Sequence, residues 1–417
     1  METLLKCLKN LAVSDYMVIE KVTCSKEFFF IGKKIDLTRA KQVKKWIVTV
    51  YEDFEVDEKR YRGHASATID PTMEKEALEK KLTDLKRQAQ LGKEEPYTLR
   101  AHSKVDIHFE KNDSLKEVLA CIQDLEQTNL TQLNSCEVFD EVNYYHMINS
   151  QGLDVSYCLP QTEIEMILNA KNDVTEVETY ERPQFGNVDL FNLNIQFQEA
   201  MKMARDRLEA IPIMNTDCKI VLAGQNVVPI FNYYLNRLNA KMVYNQFSDL
   251  KIGQSIGLEG LNIEGLAYLE HSSKNHYFSL DGTEIQNVSL VKDGIVDNYW
   301  GTDQYLQYVG ITHSSDVYNF KVSGGVMEND ELAMQPHLKL VSFSDFNVDL
   351  MTGDYAGEIR LAYYYDENGN ITPCTGGSIS GNLKQSQNKM ILSKQLSQYN
   401  HAIVPSFVVL ADVNLAI

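Results

Sequence analysis

The sequence has no histidine between His146 and His271 and no cysteine after Cys374. No CxxC pair occurs. The seven cysteines (Cys7, Cys24, Cys121, Cys136, Cys158, Cys218 and Cys374) are odd in number and widely spaced. That usage suits reduced thiols in a cytoplasm better than a disulfide framework or a zinc cluster. No window reaches the ~18 apolar residues needed to span a bilayer. The opening, METLLKCLKNLAVSDYM, has neither a long apolar core nor a small-residue cleavage pattern, so no secretory leader is expected. Positive charge is also short. Lysine and arginine number 40 against 58 acidic residues, a formal charge of −18. Nucleic acid and anionic membrane both need a dense cationic surface, so neither is expected as the main partner. No internal repeat and no low-complexity tract is found.

What remains is an ordinary soluble mixture, 44% hydrophobic and 24% charged. At 417 residues the chain is too long for one core, and two domains are expected. In the first half, Phe28 to Ile31, Trp46 to Tyr51, Tyr61 to Ile69, Cys136 to Met147, Leu153 to Cys158 and Ile164 to Leu168 read as short strands. Asp70-Pro71-Thr72 opens a helix with Ala77, Leu78, Leu82, Leu85 and Ala89 on one face, its lysines a solvated side. A second helix follows Ser114, with Leu115, Val118, Leu119, Ile122 and Leu125 apolar. The expectation is an α+β domain over residues 1–188, a mixed or antiparallel sheet with helices on one side. A turn-rich linker, Glu181 to Gly186, ends it. Residues 189–417 read as a β-rich domain entered through two helices. One runs from about Leu193 to Ile211, with Phe197, Ala200, Met201, Ala204, Leu208 and Ile211 in register. The other runs from about Asn226 to Asn239.

Residues 351–383 are the most informative stretch. Ile359, Leu361, Tyr363 and Tyr365 alternate with Glu358, Arg360, Ala362 and Tyr364, the period of a strand with two different faces. Asn368-Gly369 closes a tight hairpin, because both residues tolerate positive φ. Ile371-Thr372-Pro373 starts the return, where proline fits only at an edge or a strand end.

The run TGDY, a strand, ENGNITP and a closing ISGNL resembles the C-terminal signature of the TldD/PmbA family, also called modulators of DNA gyrase. FSLDGTEIQNVSLVKDGIV (278–296) and KIGQSIG (251–257) extend the resemblance upstream. It covers roughly residues 195–410 and is thinner before that. Metal-bearing members resemble metallopeptidases, with an HExxxH motif on the helix that corresponds to Asn226–Asn239. There, imidazoles hold zinc and a glutamate takes a proton from the bound water. A cysteine ligand follows the segment matching Ile379–Leu383. Here Asn232, Tyr233 and Arg237 stand where the two histidines and the glutamate would be, and no later cysteine exists. Asparagine is a poor zinc ligand, and a neighbouring arginine cation disfavours any metal.

The scaffold of that helix is nevertheless intact. Ile230, Phe231, Tyr234, Leu235 and Leu238 form an apolar stripe, and Pro229 sits in the first turn. The resemblance therefore implies the PmbA/TldE branch, which lacks the motif. It implies a metal-free, non-catalytic subunit of a peptide-degrading or peptide-maturing assembly, inactive alone, with zinc held only by an HExxxH-bearing TldD-type partner. Homodimers, heterodimers and a peptide substrate are expected on the same ground. Asn232, Tyr233, Asn236, Arg237, Asp354 and Tyr355 are the candidate residues of a substrate groove. Two other readings stay open: a peptidase acting through an unrecognised site, and a non-enzymatic protein that modulates gyrase.

Other candidates have plainer readings. His271 and His276 share the spacing of the lost motif, but Ser272 follows the first and the segment EHSSKNH reads as a loop or hairpin tip. His102 and His108 would lie ~20 Å apart along a strand, too far for one metal. His313-Ser314-Ser315-Asp316 has no GxSxG elbow. Gly324-Gly325, Gly376-Gly377 and Gly381 lack a lysine at Walker spacing and read as turns. Tyr363-Tyr364-Tyr365 fits a half-buried strand better than a peptide groove.

Overall fold

The computed structural model describes residues 1–101, 105–107, 114–214 and 217–417. His102 and His108 lie outside the described residues. Two long antiparallel hairpins build the N-terminal sheet. Asp15–Ile31 pairs with Lys34–Val56, and Thr131–Asn149 pairs with Asp154–Lys171. Lys59–Ile69 closes one edge, and Val105–Ile107, Glu176–Glu181 and Gln184–Phe185 line the other. The short strands expected at Phe28, Trp46, Cys136, Leu153 and Ile164 are pieces of these longer ones. Lys26, Glu27, Lys41 and Gln42 break the apolar alternation, so the pattern fades where the hairpin reaches into solvent. Pro160 does not break its strand. Val105–Ile107 pairs with Val155 to Tyr157 and Gln184–Phe185 with Thr162 and Glu163, and Pro160 falls in the gap where no outer strand needs its N–H.

Helices cover one face of this sheet, as the pattern predicts. Glu2–Asn10 and Lys75–Ala89 bury Leu4, Leu8, Leu78 and Leu82 against Val18, Val48 and Val50. Leu115–Gln123 and Leu190–Glu209 bury Val118, Ile122, Leu193 and Phe197 against Phe30, Val138 and Ile164. Val18 and Phe30 have the same parity on one strand, so both clusters share a face. Two starts differ from the sequence reading. Asp70 accepts from Thr72 N and Oγ1 as a local turn, and its helix begins only at Lys75. Ser114 stands at the N-cap, but its hydroxyl makes no capping bond.

The C-terminal half has a nine-stranded and a six-stranded sheet. Lys219–Ala223, His337–Val348 and Asp354–Tyr365 are central to the larger one, the first two in parallel. Helix Val228–Arg237 shares one core with both: Leu222, Leu340 and Ile359 from the larger sheet, Ile263, Leu290 and Phe320 from the smaller. Helix Leu190–Glu209 joins the halves. Asp189 caps it by accepting from Phe191 N and Asn192 N. Its apolar stripe packs on the N-terminal sheet, while Asp206 Oδ2 accepts from Tyr363 Oη at 2.7 Å. Ile211 is not part of that stripe. It is 49% exposed and pairs with Cys374 in a short strand, because Pro212 pushes the residue before it out of the helical region. Among the described residues no helix is long and apolar enough to cross a membrane.

Candidate functional site

Helix Val228–Arg237 places its candidate residues under one turn of the neighbouring sheet. Tyr233 is only 1% exposed. Its ring lies beneath Gly353, where an added Cβ would stand 2.9 Å from Tyr233 Cζ, and Gly353 has φ +79°. Two independent reasons therefore demand glycine in the TGDY turn. Asn236 Nδ2 donates to Leu350 O at 2.9 Å, pinning the same turn from its other end. The Arg237 guanidinium is buried, lies 5.6 Å from the Tyr233 ring centre and pairs with Asp249. Lys384 Nζ donates to the other Asp249 oxygen at 3.2 Å. Asn232 is partly exposed on the same helix.

Asp354 is exposed and works within the turn. It accepts from Thr352 Oγ1 at 2.8 Å and from Asn382 Nδ2 at 2.7 Å, and these bonds hold its carboxyl below the usual range. Leu383 N donates to Gly353 O at 2.8 Å. Tyr355 is 2% exposed, and its hydroxyl lies against Gly381 with no hydrogen-bond partner among the described residues.

The structure thus brings Tyr233 and Asn236 against the TGDY turn and Arg237 against Tyr233, with Asp249 pairing Arg237, Lys384 pairing Asp249, and Asn382 bonding Asp354 and Thr352 of the turn. Asp249, Asn382 and Lys384 were missed. Asp249 stands just before the Gly-rich turn KIGQSIG and Lys384 just after ISGNL, so both flank recognised segments. Only the fold brings them together. Lys384, and then Arg237, hold the Asp249 carboxyl below its ordinary range. The two cations, Arg237 and Lys384, are matched by two carboxylates, Asp249 and Asp354, and both cations are turned to the first of these. Arginine cannot ligate a metal, and the other donors are amides, a phenol and two carboxylates, of which Asp249 is held by Arg237 and Lys384, and Asp354 by Thr352 and Asn382. This donor set does not fit zinc. Among the described residues no group of three or more His, Cys, Asp or Glu could hold a metal ion. Gly353→Ala should destabilise the protein by about 2–4 kcal/mol, the sum of αL strain and the clash with Tyr233. Urea unfolding measures it, and Tyr233→Phe should stay close to wild type.

EHSSKNH is irregular, as expected, but it is not an exposed tip. Ser272 and Ser273 are each 1% exposed. His271 Nδ1 lies 3.0 Å from Asn187 O. His276 Nδ1 lies 3.1 Å from Tyr157 Oη and its ring 4.3 Å from that of Tyr318, so the two histidines serve different contacts. Burial, then Lys274 and Lys21, push His276 down to about 4. In the HSSD run, Ser314 Oγ donates to Tyr299 O and Ser315 Oγ to Asp316 O, so neither hydroxyl is poised as a nucleophile. Gly376 and Gly377 make a positive-φ turn between strands, while Gly324 and Gly325 pack on the backbone of Lys394 and Leu392. Tyr363 bonds Asp206, and Tyr365 stacks on His337 at 4.2 Å.

Asp316 is partly buried, and burial and then Asp281 raise its carboxyl to about 7. A raised folded value gives stability that is present below the unfolded value and is lost as pH rises through the folded one. At full burial the shift would be worth about 4 kcal/mol. Its partial exposure to solvent reduces that to roughly 1–3 kcal/mol. Asp316→Asn should therefore flatten the loss of stability between about pH 4 and pH 8 by that amount, read from urea unfolding at both values.

Residues 215–416 match the family described as the PmbA/TldA metallopeptidase C-terminal domain. An uncharacterised protein of Methanocaldococcus jannaschii is 24% identical over 316 residues, 72% of this chain and 74% of that protein. Three solved structures share the fold along the whole length. TldE from Thermococcus kodakarensis superposes with TM-score 0.76 at 12% identity, covering 99% of this chain and 100% of that one. A candidate modulator of a DNA gyrase from Thermotoga maritima gives 0.74 at 14%, covering 99% of each. Another from Bacteroides thetaiotaomicron gives 0.77 at 15%, covering 100% and 98%.

Proposed function

Because this chain belongs to the TldD/PmbA family, with its metallopeptidase-like C-terminal domain, we propose that it is the metal-free, non-catalytic subunit of a cytoplasmic peptide-degrading or peptide-maturing assembly. Its partner would be a TldD-type chain carrying HExxxH, and the substrate an extended peptide. The observation that carries this reading is Arg237. A buried guanidinium, fixed by Asp249, occupies the helix position that the family resemblance aligns with a metal ligand. A fixed cation there opposes a divalent ion. The packing of Tyr233, Gly353 and Asn236 supports a structural role for the same elements: they hold the TGDY turn rigid beside whatever peptide passes.

The test uses the purified chain, a TldD-type protein from the same source, and an unstructured peptide. The chain alone should leave the peptide intact and contain no stoichiometric zinc. Mixed with the partner it should form a stable complex that cleaves, and a chelator should stop cleavage. Chelator-resistant cleavage by the chain alone would overturn the reading. So would recovery of topoisomerase but no HExxxH protein in a pull-down, which would favour the gyrase-modulator alternative.

A further inference from the structure

Strand Lys34–Val56 is paired on both sides over only part of its length. Lys59–Ile69 covers Trp46 to Val56, while Asp15–Ile31 pairs along the other side up to the hairpin tip. From Lys34 to Lys45 the outer edge has no partner among the described residues. Every residue from 36 to 44 is exposed. An open edge offers the outward N–H and C=O of alternate residues to another chain. Proteins blunt such an edge against copies of itself by making it short, by charge (lysine above all), by proline, or by a bulge. Here it is long, lysine-rich and free of proline and glycine; the register shifts once, at Asp36 near the hairpin tip, and is unbroken from Leu37 to Lys45. Leu37 is 54% exposed and Val43 49%.

The chemistry of the edge is opposite to that of the chain. Lys33, Lys34, Arg39, Lys41, Lys44 and Lys45 face a single acid, Asp36, in a protein of formal charge −18. Two glutamates of the inner strand take part of this charge: Arg39 Nε and Lys41 Nζ bond Glu27 at 2.6 and 2.5 Å, and Lys44 Nζ meets Glu20 at 2.7 Å. Lys34 and Lys45 have no ion pair among the described residues. Like charge keeps two such edges apart, while an acidic strand would gain both the ladder and the charge pairing.

We propose that the edge Lys34–Lys45 takes up an extended acidic segment of a partner polypeptide as an added strand. The proposal is independent of the metal question, because it involves neither the helix at Asn232 nor the TGDY turn. The probe is a fluorescein-labelled peptide alternating glutamate with valine or threonine, long enough to span the edge and titrated against the full chain. It should bind in the micromolar range. A version with proline at alternate positions should bind at least about tenfold more weakly, since it cannot complete the ladder. Amide exchange should slow at residues 36–45 when the first peptide is bound. Lys34→Glu with Lys45→Glu should weaken binding by about tenfold at an unchanged melting midpoint, because neither lysine holds a buried partner. Equal binding of both peptides, unchanged exchange along the edge, tighter binding there by a single-stranded oligonucleotide, or self-association of the chain abolished by the lysine changes would each overturn it.

Discussion

Writing the missing motif into helix Val228–Arg237, as Asn232→His, Tyr233→Glu and Arg237→His, should lower the melting midpoint by roughly 10 °C without creating a zinc site that survives gel filtration. The loss comes almost wholly from position 233. Tyr233 is among the largest fully buried side chains, and Gly353 rests on its ring. Replacing it with glutamate opens a cavity and puts a carboxyl into it. Truncation of a buried aromatic costs about 3–5 kcal/mol, and the unpartnered acid adds to that. Arg237→His matters less, because Asp249 is 65% exposed and keeps Lys384. Asn232→His is partly exposed and should be nearly silent. Two imidazoles without a third protein ligand make a weak site, and no cysteine follows Cys374. Thermal melts of the three single variants and the triple one, with metal content after gel filtration, check each step. A triple variant that melts like wild type and carries one zinc per chain would mean that the metal site is intact in all but three side chains.

The same helix explains what could be read in advance. Its apolar stripe repeats at helical spacing and Pro229 marks its first turn, so its place was legible to within a few residues. The hairpin at Asn368-Gly369 was legible because turn chemistry is local. Asp366 accepts from Asn368 N and Asn370 N, and Gly369 has φ +79°. What escaped was long-range. Asp249 and Lys384 mean nothing until the fold sets them beside Arg237. The strand Lys34–Val56 was seen only where it is half-buried, because its exposed end carries no alternation to detect. Ser272 and Ser273 were read as a loop or hairpin tip because Gly, Ser and Asn lie close by in the sequence. In fact Asn275, Asn319 and Asn400 bond its backbone and hydroxyls, which is what lets irregular chain be buried.

That buried segment is also where the two halves meet, and Gly186→Ala should loosen the seam by about 2–4 kcal/mol. Gly186 N donates to His271 O at 2.8 Å, and an added Cβ would stand 2.2 Å from Ser272 O. Both contacts are backbone, so no flexible side chain can yield. The turn cannot simply retreat. Ser272 Oγ donates to Asn319 Oδ1 at 2.5 Å, Ser273 N to Asn400 Oδ1 at 2.9 Å, and Asn400 Nδ2 returns to Gln184 Oε1 at 3.2 Å in the linker itself. Alanine must therefore separate the linker from the turn and leave several buried polar groups with poorer partners. The expected result is faster amide exchange at residues 271–275 and earlier proteolysis between Glu181 and Asn187. Melting should divide into two steps as the halves lose their coupling. Gly369→Ala is the control. Its Cβ meets nothing within 4 Å, so only the positive φ is strained, at about 1 kcal/mol, and the seam stays closed. Wild-type exchange at residues 271–275 in Gly186→Ala would show that the linker can slide off the turn freely, and the seam would then have to be held elsewhere.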